Sequence, residues 1–196
     1  MIRNDQIGEK LHEWGPDLWV VQNIEIGDIL PNGLAVSYRI DEETPKTLKE
    51  VIGFYDKGAV PYMKINKTLR DKNLNLEELI NRDSNIINFS EILKKEAGQC
   101  LEKAIAVQLY AQKGRESYLV LAGRLEQPGI TTSLGHAYNI IKKDGKWFLV
   151  DAENPIIQNN RRIPYIIPIE GIDEKSKEII LPKKYGKDIG RRYYLQ

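Results

Sequence analysis

A buried helix lying against an antiparallel sheet, in an α+β domain, is what this sequence predicts, and two segments carry the expectation. Cys100 to Lys113 (CLEKAIAVQLYAQK) places Leu101, Ala104, Ile105 and Leu109 on one helical face, with Cys100, Val107 and Ala111 beside it. That 3.6-residue spacing belongs to a largely buried helix. Gly135 to Asp151 (GHAYNIIKKDGKWFLVD) consists of two β-forming runs joined by Asp144-Gly145. Asp-Gly suits a type I′ turn, whose central residues both take positive φ, so these runs fold as a hairpin. With 41% hydrophobic and 29% charged residues, the 196-residue chain can bury one core and is neither collagen-like, membrane-spanning nor disordered.

In chain order, Asp17 to Asp41 holds two β-rich runs separated by the turn formers Pro31, Asn32 and Gly33, which predicts an antiparallel pair. Thr44 to Asn73 is Lys-rich and broken by Gly58 and Pro61. Asn75 as N-cap with Glu78 three residues on predicts a short helix over 76–82, and Ser90 opens another that stops near Ala97-Gly98. In the helix that begins at Cys100, only Glu102, Lys103 and Lys113 mark a wet side, and Gly114 is placed to cap its end. Ser117 to Ala122 reads as a strand. Beyond the hairpin, Ile-rich runs at 163–169 and 178–181, interrupted by Pro164, Pro168 and Pro182, read as edge or covering strands. The expected organisation is one domain over 1–196: a β-rich flank at 1–73, a core at 74–151 and a β-rich covering segment at 152–196.

Charge and cysteine content exclude several classes of function. Lys plus Arg is 29 and Asp plus Glu is 28, a net charge of +1, so no long-range field draws in nucleic acid or an acidic membrane. The pairs Arg161-Arg162 and Arg191-Arg192 are too short to form a basic tract. A single cysteine rules out an intrachain disulfide. MIRNDQIGEKLHEW has no apolar run behind its positive residue, which favours a cytoplasmic protein and leaves signal-independent export open.

Three residues gain meaning together: Cys100 at the start of the buried helix, His136 on the first hairpin strand and Asp151 on the second. A thiol at a helix N-terminus sits at the positive end of the dipole, which favours thiolate. A two-residue turn at 144 and 145 pairs positions whose numbers sum to 289, so Asp151 opposes Tyr138, and His136 lies two residues further on the same face. The diagonal is about 7–8 Å between Cα atoms, within reach of a carboxylate–imidazole hydrogen bond. A three-residue loop without a bulge would turn Asp151 away. Cys100 would then attack an acyl carbon, His136 would move the proton and Asp151 would hold the imidazole, with the Cys100 backbone N–H as one oxyanion donor.

Each residue also has an ordinary reading: a packed cysteine, a structural histidine and a turn aspartate. Trp147 and Tyr138 read as core and groove wall, Glu153 and Asn154 as a polar turn before Pro155 in preference to residues that orient the loop or bind substrate, and Arg124 to Gly129 as a loop near the cleft. His12, the only other histidine, has no ligand cluster around it, so neither metal nor cofactor is expected.

Gly98-Gln99-Cys100, Gly135-His136-Ala137-Tyr138 and Asp144 to Asp151 (DGKWFLVD) resemble, in that order, the transglutaminase-like superfamily of the papain-like fold. The likeness covers about 55 residues, Gly98 to Asp151. It implies a Cys-bearing helix on an antiparallel sheet that carries His and Asp, and a triad on Cys100, His136 and Asp151. It further implies amide hydrolysis or acyl transfer through a thioester on a peptide or protein substrate, with Gln99, Gly135 and Tyr138 near that substrate. Leu101 stands where crosslinking transglutaminases often have an aromatic residue, and RLEQPGITTSL is too short for the metal-binding insertions of calcium-dependent enzymes. Hydrolysis is therefore favoured over crosslinking. The alternatives are a catalytically inactive protein-binding module and an amine-accepting protein-glutamine transglutaminase. Trp14, Trp19 and Gln22 lie too far upstream to be matched to a second oxyanion donor.

Overall fold

A computed structural model describes residues 1–32, 36–72, 78–80, 84–129, 134–158, 161–183 and 190–196. In chain order the elements are β1 (Ile2–Arg3), α1 (Ile7–Leu18), β2 (Val20–Val21), β3 (Ile29–Pro31), β4 (Ser37–Arg39), α2 (Thr44–Ile52), α3 (Tyr62–Thr68), β5 (Ile86–Asn88), α4 (Phe89–Lys94) and α5 (Cys100–Ala111). The strands β6 (Ser117–Glu126), β7 (Leu134–Lys143), β8 (Lys146–Gln158), β9 (Arg161–Pro168), β10 (Gly171–Ile172), β11 (Glu178–Ile180) and β12 (Arg192–Tyr194) follow. This is an α+β architecture. The large sheet runs β1-β10-β11-β12-β6-β7-β8-β9, with β2 also on β6, and every pairing in it is antiparallel. A small sheet, β3-β4-β5, combines one antiparallel and one parallel pairing.

Strand alternation divides the interior. On β7, Ala137 and Ile141 point into the cluster that also holds Ala104, Ile105, Leu109, Val150 and Ala152. Tyr138 and Ile140 point into the opposite cluster, with Trp147, Leu149 and the α1 residues Ile7, Leu11 and Leu18. The large sheet is thus covered by α5 on one face and α1 on the other. The hairpin register pairs Lys143 with Lys146 and continues to Asn139 with Val150. Asp144 (φ 50°) and Gly145 (φ 74°) both take positive φ, as the type I′ reading requires.

Several expectations are corrected. The 1–73 flank, expected β-rich, carries α1, α2 and α3. Gly15 and Pro16 occupy the last turn of α1, which closes at Trp19 in the left-handed region (φ 54°). The antiparallel pair expected over 17–41 does form, as β3 with β4, but the start of the first run lies outside it, because Asp17 and Leu18 end α1 and β2 joins β6. The short helix expected over 76–82 lies largely outside the described residues. The helix expected to open at Ser90 begins at Phe89, and Glu96 at φ 51° turns the chain after it, so Gly98 does not make that turn.

Gly114 does not cap α5, whose C-cap is Gln112 in the right-handed region. It lets the 53–61 segment approach, since a Cβ there would lie 2.5 Å from the Lys57 carbonyl carbon. Of the expected wet side of α5, Lys113 is exposed but Glu102 and Lys103 are buried, held by Tyr38 and Glu153, partners that no local pattern reveals. In the tail, β9 is an edge strand as expected for the run at 163–169, whereas the run at 178–181 is not, since β11 lies inside the sheet between β10 and β12, and β12 pairs with β6.

Candidate active site

The site begins where α5 does. Glu102 in the first turn accepts the Gln99 backbone N–H on Oε2 at 2.7 Å and the Tyr38 hydroxyl on Oε1 at 2.5 Å. A carboxylate at this end of a helix interacts favourably with the dipole. Burial first, and the Glu102 charge second, push the Tyr38 phenol well above its ordinary range. Cys100, the first residue of the helix, is free and half-buried.

His136 sits on β7 opposite Gly123. A Cβ on Gly123 would run into the Tyr138 ring and lie 2.9 Å from the His136 carbonyl oxygen, so only glycine admits this crowding. The imidazole is 6% exposed, and its Nε2 lies 2.8 Å from Asp151 Oδ2. Asp151, at 0% exposure, is the point where β8 slips from its ladder with β9 before resuming at Ile156. Within that irregularity the backbone N–H groups of Glu153 and Asn154 donate to Oδ1, at 3.0 and 3.1 Å. Oδ2 accepts from the Asn154 amide at 2.9 Å and from the Tyr193 hydroxyl at 2.8 Å, besides the imidazole.

Burial disfavours both charges, and the pair overrides it. Desolvation alone would lower the His136 pKa, but the Asp151 carboxylate, with a further contribution from the Cys100 sulfur, raises it to about 10. Desolvation would raise the Asp151 pKa, but the imidazole and the Asn154 and Tyr193 donors hold it down at about 2. The Asn154 amide nitrogen lies 3.3 Å from His136 Nε2. With Nε2–H and this amide both donating to Oδ2, Nδ1 is the ring nitrogen left for the sulfur.

The loop after Asp151 is clasped from three sides. Lys103 of α5 forms an ion pair with Glu153, Asn66 of α3 donates to the Ala152 carbonyl at 2.6 Å, and Arg191 donates to the Asn154 carbonyl at 2.9 Å. Burial and the neighbouring Asp151 carboxylate raise the Glu153 pKa despite its lysine partner.

The chain therefore brings Cys100, His136 and Asp151 together. Of the expected substrate neighbours, Gly135 is exposed with open space around it, and exposed Gln99 donates its side-chain amide to Asp71 at 2.9 Å. Tyr138 is not a groove wall. It is fully buried, donates to the Tyr194 carbonyl at 2.7 Å and stacks on His136 with ring centroids 6.0 Å apart. Trp147 is core, and His12 is exposed on α1.

Sequence reasoning missed Tyr193, Asn66 and Arg191 as supports and preferred a plain polar turn for Asn154 over a part in orienting the loop. The remaining available signal was Tyr193-Tyr194 after Arg191-Arg192, an aromatic pair too large to leave in water. Among the described residues, no three His, Cys, Asp or Glu side chains could share a metal ion, and no helix is long and apolar enough to cross a membrane. In comparisons with known proteins, no family, curated protein or solved structure matches this chain.

Proposed function

We propose that the protein is a cysteine-dependent amide hydrolase or acyltransferase of transglutaminase-like, papain-like type, acting on a peptide or protein substrate. The observation that carries this reading is the buried His136–Asp151 pair in contact with a cysteine at the first position of a helix. In the reaction, Cys100 as thiolate attacks the amide carbon and His136 as imidazolium donates its proton to the departing nitrogen. The C–N bond breaks, the amine leaves and a thioester remains on Cys100. His136, now neutral, takes a proton from water. The oxygen attacks the thioester, the C–S bond breaks, and the acid leaves with thiolate and imidazolium restored. Asp151 keeps the Nε2–H directed away from the sulfur and stabilises the imidazolium. The first amides of α5 have no intrahelical acceptor, so the Cys100 N–H is available to the oxyanion.

Because Cys100 is the only cysteine, its alkylation by iodoacetamide can be read by intact mass without a known substrate. Rapid labelling between about pH 5 and 8 that depends on His136 is expected, with His136→Ala falling to the rate of an ordinary thiol. Asp151→Asn is expected to fold but to lower substrate turnover by about 10²- to 10⁴-fold through loss of the tautomer. A thiol equally reactive with and without His136 would remove the mechanism and favour a binding module.

A further inference from the structure

Asp151 Oδ2 has three donors, and they do not play equivalent parts. His136 is the reacting partner, and Asn154, three residues from Asp151, moves with the same loop. Tyr193 alone ties the oxygen to a distant element. We infer that Tyr193 is a positioning residue of the triad, its hydroxyl locking Asp151 Oδ2 toward His136, so that docking of β12 on β6 completes the site.

The ring is fixed before the hydroxyl acts. Tyr193 is fully buried and pairs with Leu125 on β6 and Ile179 on β11. Its ring meets Tyr138 edge-on at 5.3 Å and lies 6.2 Å from the His136 ring. β12 is itself anchored on both sides: Arg192 bonds Glu178 and Glu126, and the Tyr194 hydroxyl donates to Glu126. A phenyl group would fill the same space, so packing does not account for the oxygen, which is spent on the carboxylate at 2.8 Å. Without that donor, Oδ2 keeps only the moving imidazole and its own loop, and the carboxylate can turn out of line.

The inference rests on the proposed triad. The groups facing Asp151 are His136 and Tyr138 from β7, Tyr193 from β12, and Asn154 and Glu153 of its own loop, Glu153 being paired with Lys103, while Cys100 of α5 faces His136. The test is the pH profile of Cys100 alkylation in wild type, Tyr193→Phe, His136→Ala, Asp151→Ala and the Asp151→Ala/Tyr193→Phe double variant. Tyr193→Phe is expected to unfold within a few degrees of wild type. The acid limb of its profile should move up by about one pH unit, with labelling about tenfold slower below the limb. The double variant should match Asp151→Ala, since the positioning runs through the carboxylate.

A Tyr193→Phe profile superimposable on wild type, with His136→Ala still impaired, overturns the positioning role and leaves the triad standing. Superimposable profiles in both variants overturn the triad, and this inference with it. Tyr193→Met, which also fills the space without a hydroxyl, is expected to shift the limb in the same direction. A shift in neither overturns the role.

Discussion

Asp151 and His136 hold each other charged inside a sheet, and the cost of burying either alone makes their pairing pH-dependent. The Asp151 pKa is depressed from 3.8 to about 2 in the fold. Its contribution to stability is therefore present above about pH 4 and lost as the pH falls through about 2. The His136 pKa is raised from 6.5 to about 10, so its contribution is full below about pH 6.5 and lost as the pH rises through about 10. The stability difference between wild type and His136→Ala, from urea unfolding, is expected to be widest between about pH 4 and 6.5 and to narrow on both sides. A constant difference from acid to alkali would show that the pair is uncharged in the fold. A related expectation concerns Glu102→Ala, which removes the acceptor of the Tyr38 O–H and of the Gln99 N–H. It should cost about 2 kcal/mol or more in the same measurement.

At this scale the sequence discloses what spacing controls and hides what distance controls. Cys100, His136 and Asp151 could be singled out because a helix start and a hairpin register are local rules. Tyr193 bonds a carboxylate 42 positions away and Asn66 a carbonyl 86 positions away, and no periodicity encodes such partners. Glu102 and Lys103 misled for the same reason: a charge on an apolar helix reads as wet until its partner is known.

Among the elements, α5 and the β7–β8 hairpin were legible because a 3.6-residue stripe and an Asp-Gly turn each specify one conformation. Helix α1 was not, because its core contacts Ile7, Leu11 and Leu18 are sparse and glycine and proline fill its last turn. Gly114 illustrates a residue whose position was noticed and whose purpose was not. Its bare Cα lets the Lys57 segment pass against the end of α5. Gly114→Ala should therefore cost about 1–3 kcal/mol by overpacking, a loss read from chemical unfolding. An unchanged midpoint would mean that this approach is loose.

Across the whole molecule, the large sheet is buried on two faces, and Trp147 fills the face under α1. Its backbone N–H is held by Asn4, and its ring lies so near Gly8 that a Cβ there would fall 2.7 Å from it. Trp147→Ala is expected to cost about 3–5 kcal/mol, measured by urea unfolding, because α1 loses the surface it covers. The α+β class followed from the sequence, but the strand order did not. Pairing of β12 with β6, and the small sheet with its parallel β4–β5 contact, bring together segments whose separation leaves no turn to read.

That strand order has a consequence during synthesis. Tyr193 follows Cys100 by 93 positions, which at about 5–20 residues per second is on the order of 5–20 s of translation. A growing chain therefore carries its thiol for that interval before the strand that braces Asp151 exists. A ribosome halted in between would release a product with the cysteine in place and the brace missing.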